Sequence, residues 1–409
     1  MTLSLCMIVK NEAANLPQVL ESVQGLVDET LVFDTGSTDN TVKIAQSLGG
    51  KTASIPWEND FAAARNHTLE QATGDWVLVL DGDEILTPAA RELIQPIVRG
   101  EVIASLNLSP DSILAVNLIR QEIGAQQSPY SLVSRLFRNR PEIRFNRPYH
   151  ETIDDSVTQL MQQDRHWQVV TLPAVAISHS GYQPDAIALN DKFNRAQTTM
   201  AAYLATHPND AYICSKLGAL YGQQGDWSKA LPLLDQGLAS LGDTDDPMIA
   251  YDLHYHLGLA HRYLAQPDQA IFHYQQALKQ PILEMLKLGA QINLGSVFKQ
   301  QEQYDNAIAA FAAATVVDPN LAVAHFNLGT VYRAKGYSYL DQAIKAYQRA
   351  IQLDRAYAEA YQNLGVALFK LGKLPDSRRA FNAALTLYQH QNPDEAQRLH
   401  QGLMKLGLA

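Results

Sequence analysis

Hydrophobic and polar positions along this 409-residue chain follow two different periods. In the front part, short apolar runs alternate with helical segments. Residues 3–9 form a nearly unbroken apolar run and predict a buried strand. Residues 16–26 predict a helix and 30–33 a second strand. Residues 41–48 carry apolar side chains at helical spacing and end in Gly49-Gly50, a helix stop signal. Residues 76–80, 113–119 and 131–137 predict further strands. Strand–helix–strand order implies a mostly parallel, Rossmann-like α/β sheet. Such sheets bind ligands where loops leave the carboxyl ends of the strands.

From about Asp185 the period becomes helical and stays so. Leu217-Gly218, Leu257-Gly258, Leu294-Gly295, Leu328-Gly329 and Leu364-Gly365 recur in similar surroundings, their glycines 40, 37, 34 and 36 residues apart. The last three intervals lie near the tetratricopeptide period of about 34 residues. Small residues such as Gly329, Ala343 and Ala350 let two antiparallel helices approach closely, and aromatics such as Tyr347 fill the space toward the next unit. Asp318-Pro319 breaks the chain between units. Residues 394–408 predict a terminal helix that caps the exposed apolar face of the last repeat. The expected domains are therefore 1–184, α/β, and 185–409, an all-α superhelix.

Composition sharpens this picture without changing it. Hydrophobic residues make up 46% and charged residues 18%, as in a globular chain. Net charge is −10, which argues against a nucleic-acid binder. Residues 1–180 hold 13 basic and 22 acidic side chains, a charge of −9, and the remainder carries −1. So acidic a front part accepts a diphosphate only with help from a cation or local arginines. Two cysteines far apart, Cys6 and Cys214, read as buried core thiols in a reducing compartment. With no basic, apolar leader at Met1 and no apolar run of membrane-spanning length, the expectation is a cytoplasmic protein.

Three acidic motifs follow predicted strands: Lys10-Asn11-Glu12, Asp34 to Thr41, and Asp81-Gly82-Asp83-Glu84. All three would emerge on one edge of a parallel sheet. Two carboxylates two residues apart can hold a hard divalent cation through oxygen, leaving coordination sites open for phosphate. Asp-Gly is also a common turn signal, and its place after a strand beside the other two motifs favours the cation. Asp34 ends a strand, where its carboxylate can accept from a nucleoside. Ser37 and Asp39 equally suit a helix N-cap ahead of Thr41. Arg65 can fork onto diphosphate oxygens, or sit on an ordinary helix face. Arg135, Arg138, Arg140, Arg144 and Arg147 read as a solvated strand–loop face. His150-Glu151 places a carboxylate beside an imidazole, though Glu151 equally suits a surface pair with Arg147 or Arg144. His179 ends the front region. Neither a G-x-G-x-x-G fingerprint nor a Walker A loop is present, which disfavours dinucleotide enzymes and P-loop NTPases.

At these residues the chain resembles glycosyltransferase family 2, the inverting GT-A enzymes, over roughly residues 3–200. The motifs SLCMIVKNE, DTGSTDNT, DFAAARN, DGDE, HE and HSGY carry the resemblance. It implies that Glu12, Asp34, Asp39, Arg65 and Asp81 hold the nucleotide of a sugar donor, most simply a UDP-sugar. It implies Asp83 and His179 as ligands of Mn²⁺ or Mg²⁺, and Glu151 as the catalytic base of a single inverting displacement. FNRPYHE lacks the glycine-containing lead-in common before the HE pair, so Asp154 and Asp155 compete with Glu151. Residues 200–409 resemble tetratricopeptide repeats, which implies a partner surface for an acceptor peptide, protein or glycan. Two other functions compete. One is a repeat scaffold carrying an inactive nucleotide-sugar-binding domain; intact Asp34, Arg65, Asp81 and Asp83 argue against it. The other is a nucleotidyltransferase, whose first loop is usually glycine-rich and basic; Lys10-Asn11-Glu12-Ala13 has no glycine.

Overall fold

A computed structural model describes residues 1–101, 109–125, 128–180, 190–242 and 246–408. The chain forms two compact units, Met1–Leu220 and Tyr221–Ala409. The expected boundary at Asp185, and Gly181-Tyr182 of the HSGY motif, lie outside the described residues.

The first unit is built on an eight-stranded sheet of order β3-β2-β1-β4-β7-β6-β8-β5. Its strands are β1 (Leu3–Val9), β2 (Glu29–Asp34), β3 (Lys51–Ser54), β4 (Trp76–Val79), β5 (Glu84–Leu86), β6 (Ile113–Glu122), β7 (Tyr130–Arg138) and β8 (Gln168–His179). The strands β1 to β4 are mutually parallel, as expected from the strand–helix order. The far half is mixed: β7 runs antiparallel to β4 and β6, and β5 runs antiparallel to β8. Alternate side chains of β1 serve two cores, as strand geometry dictates. Leu3, Leu5, Met7 and Val9 pack with α1 (Leu16–Val23) and α4 (Pro88–Arg99) on one face. Cys6 and Ile8 join Leu31, Phe33, Val77 and Val79 under α3 (Phe61–Leu69) and α5 (Asp154–Gln163) on the other. Both cysteines are free and buried. Burial pushes the Cys6 thiol up to about 12, so it behaves as core.

Past the sheet, the first unit continues into α6 (Asn190–Thr206) and the start of α7 (Ala211–Gln223). Arg147 explains part of this reach. Its Nε donates to Asp210 Oδ2 at 2.8 Å, and its guanidinium lies 5.1 Å from the Tyr212 ring.

The second unit contains antiparallel helix pairs: Pro247–Tyr263 with Pro267–Lys279, Leu288–Gln300 with Tyr304–Val317, Ala322–Lys335 with Leu340–Leu353, and Ala358–Lys370 with Leu374–Gln391. The recurring glycines sit where the partner helix lays an aromatic ring against the backbone. A Cβ at Gly258, Gly295, Gly329 or Gly365 would fall 2.5–2.8 Å from Tyr274, Phe311, Tyr347 or Phe381. Helix Pro393–Lys405 follows, with Asn392 capping it, and buries Leu399 and Leu403 in one cluster with Phe381 and Tyr388. The glycine contacts predict a sign. Gly→Ala in a helix gains about 1 kcal/mol of propensity, but overpacking a rigid buried ring costs roughly 1–3 kcal/mol. Gly295→Ala, against the fully buried Phe311, is therefore expected to lower the melting temperature. An unchanged or raised melt would mean that the ring moves aside.

Candidate functional site

The three acidic motifs meet at the carboxyl edge of β2, β1 and β4, adjacent strands of the sheet. The first two loops are stitched together. Asn11 N–H donates to Ser37 Oγ at 2.8 Å, and Thr38 N–H donates to Asn11 Oδ1 at 2.8 Å. Glu12 N–H donates to Thr41 Oγ1 at 2.8 Å. Asp39 accepts from Thr41 N–H at 2.9 Å and Ala13 N–H at 3.2 Å. Helix α2 (Thr41–Ser47) has Asn40 at its N-cap position with no side-chain cap bond; Asp39 instead takes the first helical N–H, as the sequence allows for this residue, while Ser37 bonds loop to loop. Asp34 is also committed: its carboxylate accepts from Gly36 and Ser37 N–H groups at 3.0 Å, and the residue is buried. Glu12 lies against the acidic turn, where a Cβ on Gly82 would come within 2.4 Å of Glu12 Cγ. Gly82 is therefore required by a side chain crossing its face, not by a left-handed backbone. Asn11 and His150 do hold positive φ, 59° and 54°, so two non-glycine residues beside the site carry backbone strain.

A run of alternating charges extends from Glu151 to Asp83. Arg65 on α3, 3% exposed, donates through Nε to Glu151 Oε1 at 2.5 Å and through Nη2 to Asp81 Oδ1 at 2.5 Å. Arg135 on β7 takes Asp81 Oδ2 at 2.8 Å and lies 3.8 Å from Glu84. Arg120 on β6 bridges Glu84 at 2.8 Å and Glu122 at 2.9 Å. Glu122 Oε2 meets His179 Nδ1 at 2.6 Å, and His179 Nε2 faces Asp83 Oδ2 at 3.3 Å. Strand register creates the last part, pairing His179 with Glu84 on β5 and with Glu122 on β6.

This wiring sets the electrostatics. Burial disfavours charge on Asp81, and the guanidiniums of Arg135 and Arg65 outweigh it, holding its pKa below the ordinary carboxylate range. Burial likewise opposes the charged imidazolium of His179, but its bonds to Asp83 and Glu122 prevail and push its pKa up to about 9. Glu122 holds the Nδ1 side of the ring, so Nε2 is the nitrogen that faces Asp83. Among the described residues, no three His, Cys, Asp or Glu side chains converge as a metal cluster. Two do meet, Asp83 and His179, and both are partly open to solvent. That donor set fits a cation such as Mn²⁺ or Mg²⁺, which keeps water and phosphate oxygens as its remaining ligands.

The competing carboxylates are engaged elsewhere. Asp154 accepts from Ser134 Oγ at 2.6 Å, and Asp155 is an exposed partner of Arg147 at 3.1 Å. Glu151 pairs with neither Arg147 nor Arg144 but with Arg65. The later arginines do not form the solvated face their sequence suggests. Arg135 is buried in the ion-pair run, Arg138 lies over Trp76 at 4.4 Å, and Arg144 donates to the Ile143 and Arg140 carbonyls. Arg120 and Glu122 escape a periodicity reading that ends the strand at Ile119. Their spacing of two, at the end of an apolar run, is the signal that could have placed both on one strand face.

The family model for glycosyl transferase family 2 matches residues 4–169, and tetratricopeptide models match 255–314, 295–336, 339–372 and 358–391. A TPR repeat-containing protein of Synechococcus elongatus is 43% identical over 410 residues, covering 99% of this chain and 97% of its own length. Residues 4–169 belong to glycosyl transferase family 2, and the chain as a whole belongs with TPR repeat-containing proteins. An uncharacterized glycosyltransferase of Rickettsia felis is 28% identical over 47% of this chain and 66% of its own length. SPbeta prophage-derived glycosyltransferase SunS of Bacillus subtilis is 26% identical over 47% of the chain and 43% of its own length. Among solved structures, a MamA double mutant aligns at 23% identity with a TM-score of 0.39, over 45% of this chain and 97% of that one. Membership of the family supports a glycosyltransferase in general terms, and among the described residues no helix is long and apolar enough to cross a membrane.

Proposed function

We propose that this glycosyltransferase moves a sugar from a nucleoside diphosphate donor, a UDP-sugar in the simplest case, to an acceptor by one inverting displacement. The observation that carries this reading is the approach of Asp83 to His179 Nε2, with Glu122 fixing the other ring nitrogen, at the edge where the nucleotide loops meet. Asp83 and His179 would hold Mn²⁺ or Mg²⁺, and when bound such an ion offsets charge building on the departing diphosphate. Asp34 and Asp39 shape the nucleoside loops largely by holding backbone, and Glu12 does so by lying across Gly82. Arg65 is a positioning residue here: its fork closes on Asp81 and Glu151, and so sets both carboxylates relative to the sugar.

Glu151 acts as base. Arg65 holds Oε1, and Oε2 makes no hydrogen bond to another described residue, so that oxygen is available for the acceptor proton. As the acceptor oxygen or sulfur bonds to the anomeric carbon, its proton passes to Oε2. The bond from that carbon to the diphosphate breaks with its electron pair, and the configuration inverts. The acceptor is a peptide, protein or glycan, and the repeats are its natural selector.

Isothermal titration of a UDP-sugar into the full chain tests the donor half of the reading. Affinity is expected to fall at least tenfold when Mn²⁺ is replaced by EDTA, because the −9 front region repels an uncompensated diphosphate. Equal affinity in EDTA would remove the ion from the reading.

A further inference from the structure

A cavity of about 560 Å³ opens within the first unit, on the loop that leads to Glu151. Its size falls in the range of small-molecule sites, roughly 300–1,000 Å³. One wall is helix α6. Asn194, Thr198 and Ala202 form one row of that wall and Arg195, Thr199 and Tyr203 the next, both rows stepping by four along one helix face. Asn59 and Pro148 line the rest, and Pro148 stands three residues before Glu151.

The cavity is tied down from both sides. Tyr203 Oη donates to Asp210 Oδ2 at 3.2 Å, the same oxygen that Arg147 takes. Phe61 N–H donates to the Pro148 carbonyl at 2.9 Å, and Asn59 Oδ1 accepts from Trp57 Nε1 at 3.0 Å. Asn59, Arg147 and His150 hold positive φ of 59°, 69° and 54°, a cost that non-glycine residues carry mostly at functional sites. Arg195 is half-buried and forms no ion pair with a carboxylate among the described residues. Burial raises the Tyr149 pKa, the charge of Arg195 opposes that rise and the charge of Glu151 adds to it, so both charges reach one ring. A cation held beside a front region of charge −9 without a counter-charge suits an anion that a ligand brings in.

We propose that this cavity holds the reacting end of the acceptor, and that this end is a saccharide bearing a carboxylate, as in a uronic acid, on which Arg195 forks. Amides and hydroxyls dominate the wall: Asn59, Asn194 and Thr198 offer donors and acceptors to sugar hydroxyls. Tyr203 and Pro148 offer ring faces to the apolar side of a sugar. One guanidinium matches one carboxylate. A phosphate dianion would bring a second charge, and the described lining residues hold no second cation to meet it. None of the described lining residues belongs to a strand, so an extended peptide has no sheet edge to pair with. The inference rests on the sugar-transfer reading, whose acceptor it specifies, and α6 lies beyond the residues 4–169 that the family model matches.

Isothermal titration of the full chain tests it, with methyl β-glucuronide, methyl β-glucoside, glucose 6-phosphate and a triglutamate peptide. The glucuronide is expected to bind about tenfold tighter than the other three, the size of one charge-assisted contact. Arg195→Gln should abolish that preference, and Arg195→Lys should restore part of it, since the charge returns without the fork. The melting temperature of Arg195→Gln should match the parent, because no described carboxylate loses a partner. Equal binding of glucuronide and glucoside to the parent would overturn the proposal, as would preference for the phosphate or the peptide. So would an Arg195→Gln variant that keeps the full preference. UDP titrated with Mn²⁺ into the parent separates this site from the reading beneath it. UDP binding without a glucuronide preference removes the site and leaves sugar transfer standing. A glucuronide preference without UDP binding removes sugar transfer and leaves the carboxylate site standing.

Discussion

Replacing Asp83 by alanine is expected to lower sugar transfer by roughly 10³-fold or more, the scale of several kcal/mol of lost charge stabilisation at the leaving diphosphate. The melting temperature should barely move. Asp83 is partly exposed, and its side-chain contact is with His179, which keeps Glu122 on its other nitrogen. Surface-facing carboxylates of this kind contribute little to stability. A companion variant separates holding the ion from orienting its ligand. Glu122→Gln leaves Asp83 and His179 in place but loosens the ring, so Mn²⁺ affinity should fall by about 10- to 100-fold. Manganese binding is read directly, by electron paramagnetic resonance of the free ion, and needs no turnover. Transfer within a few-fold of the parent in Asp83→Ala would sink the ligand role.

Much of this site is written in local sequence, and the rest is written in strand register. Asp34, Asp81 and Asp83 follow apolar runs that can only be strands, so their place at one sheet edge is readable from periodicity. The partners that control them are not. Glu122 becomes a neighbour of His179 only because β6 and β8 pair in parallel across dozens of intervening residues, and β8 contains Pro173 amid an apolar run with no clean alternation. Arg135 reads as one of five arginines on a solvated strand–loop face until β7, paired antiparallel with β4, packs it into the ion-pair run. Likewise the short β3 and β5 offer four and three residues, too few for a period to emerge. In the repeats the reverse holds. Each glycine meets an aromatic within its own helix pair, so the spacing along the chain nearly determines the contact.

Glu151→Gln should lower kcat by roughly 10²- to 10⁴-fold while donor affinity stays within a few-fold. The change preserves shape and removes the proton acceptor. It also touches the ion-pair run, because Arg65 is buried between Glu151 and Asp81 and would keep only one charged partner. A buried arginine stripped of one carboxylate destabilises the fold, though the amide oxygen of glutamine can still accept from Nε. A melt lowered by several degrees is therefore expected, and kcat must be measured well below it. Asp154→Asn and Asp155→Asn are the controls. Asp155 is exposed on Arg147 and Asp154 serves Ser134, so neither should cost more than a few-fold. Near-parent transfer by Glu151→Gln, with a large loss in either control, would move the base to that residue. A thiol acceptor ionises more readily than an alcohol, and the pH–rate profile distinguishes the two. With a hydroxyl acceptor the Gln variant stays slow across neutral pH. A thiol acceptor would instead let the variant keep gaining rate toward the thiol's own pKa, and the base would then matter less than the placement that Arg65 gives it.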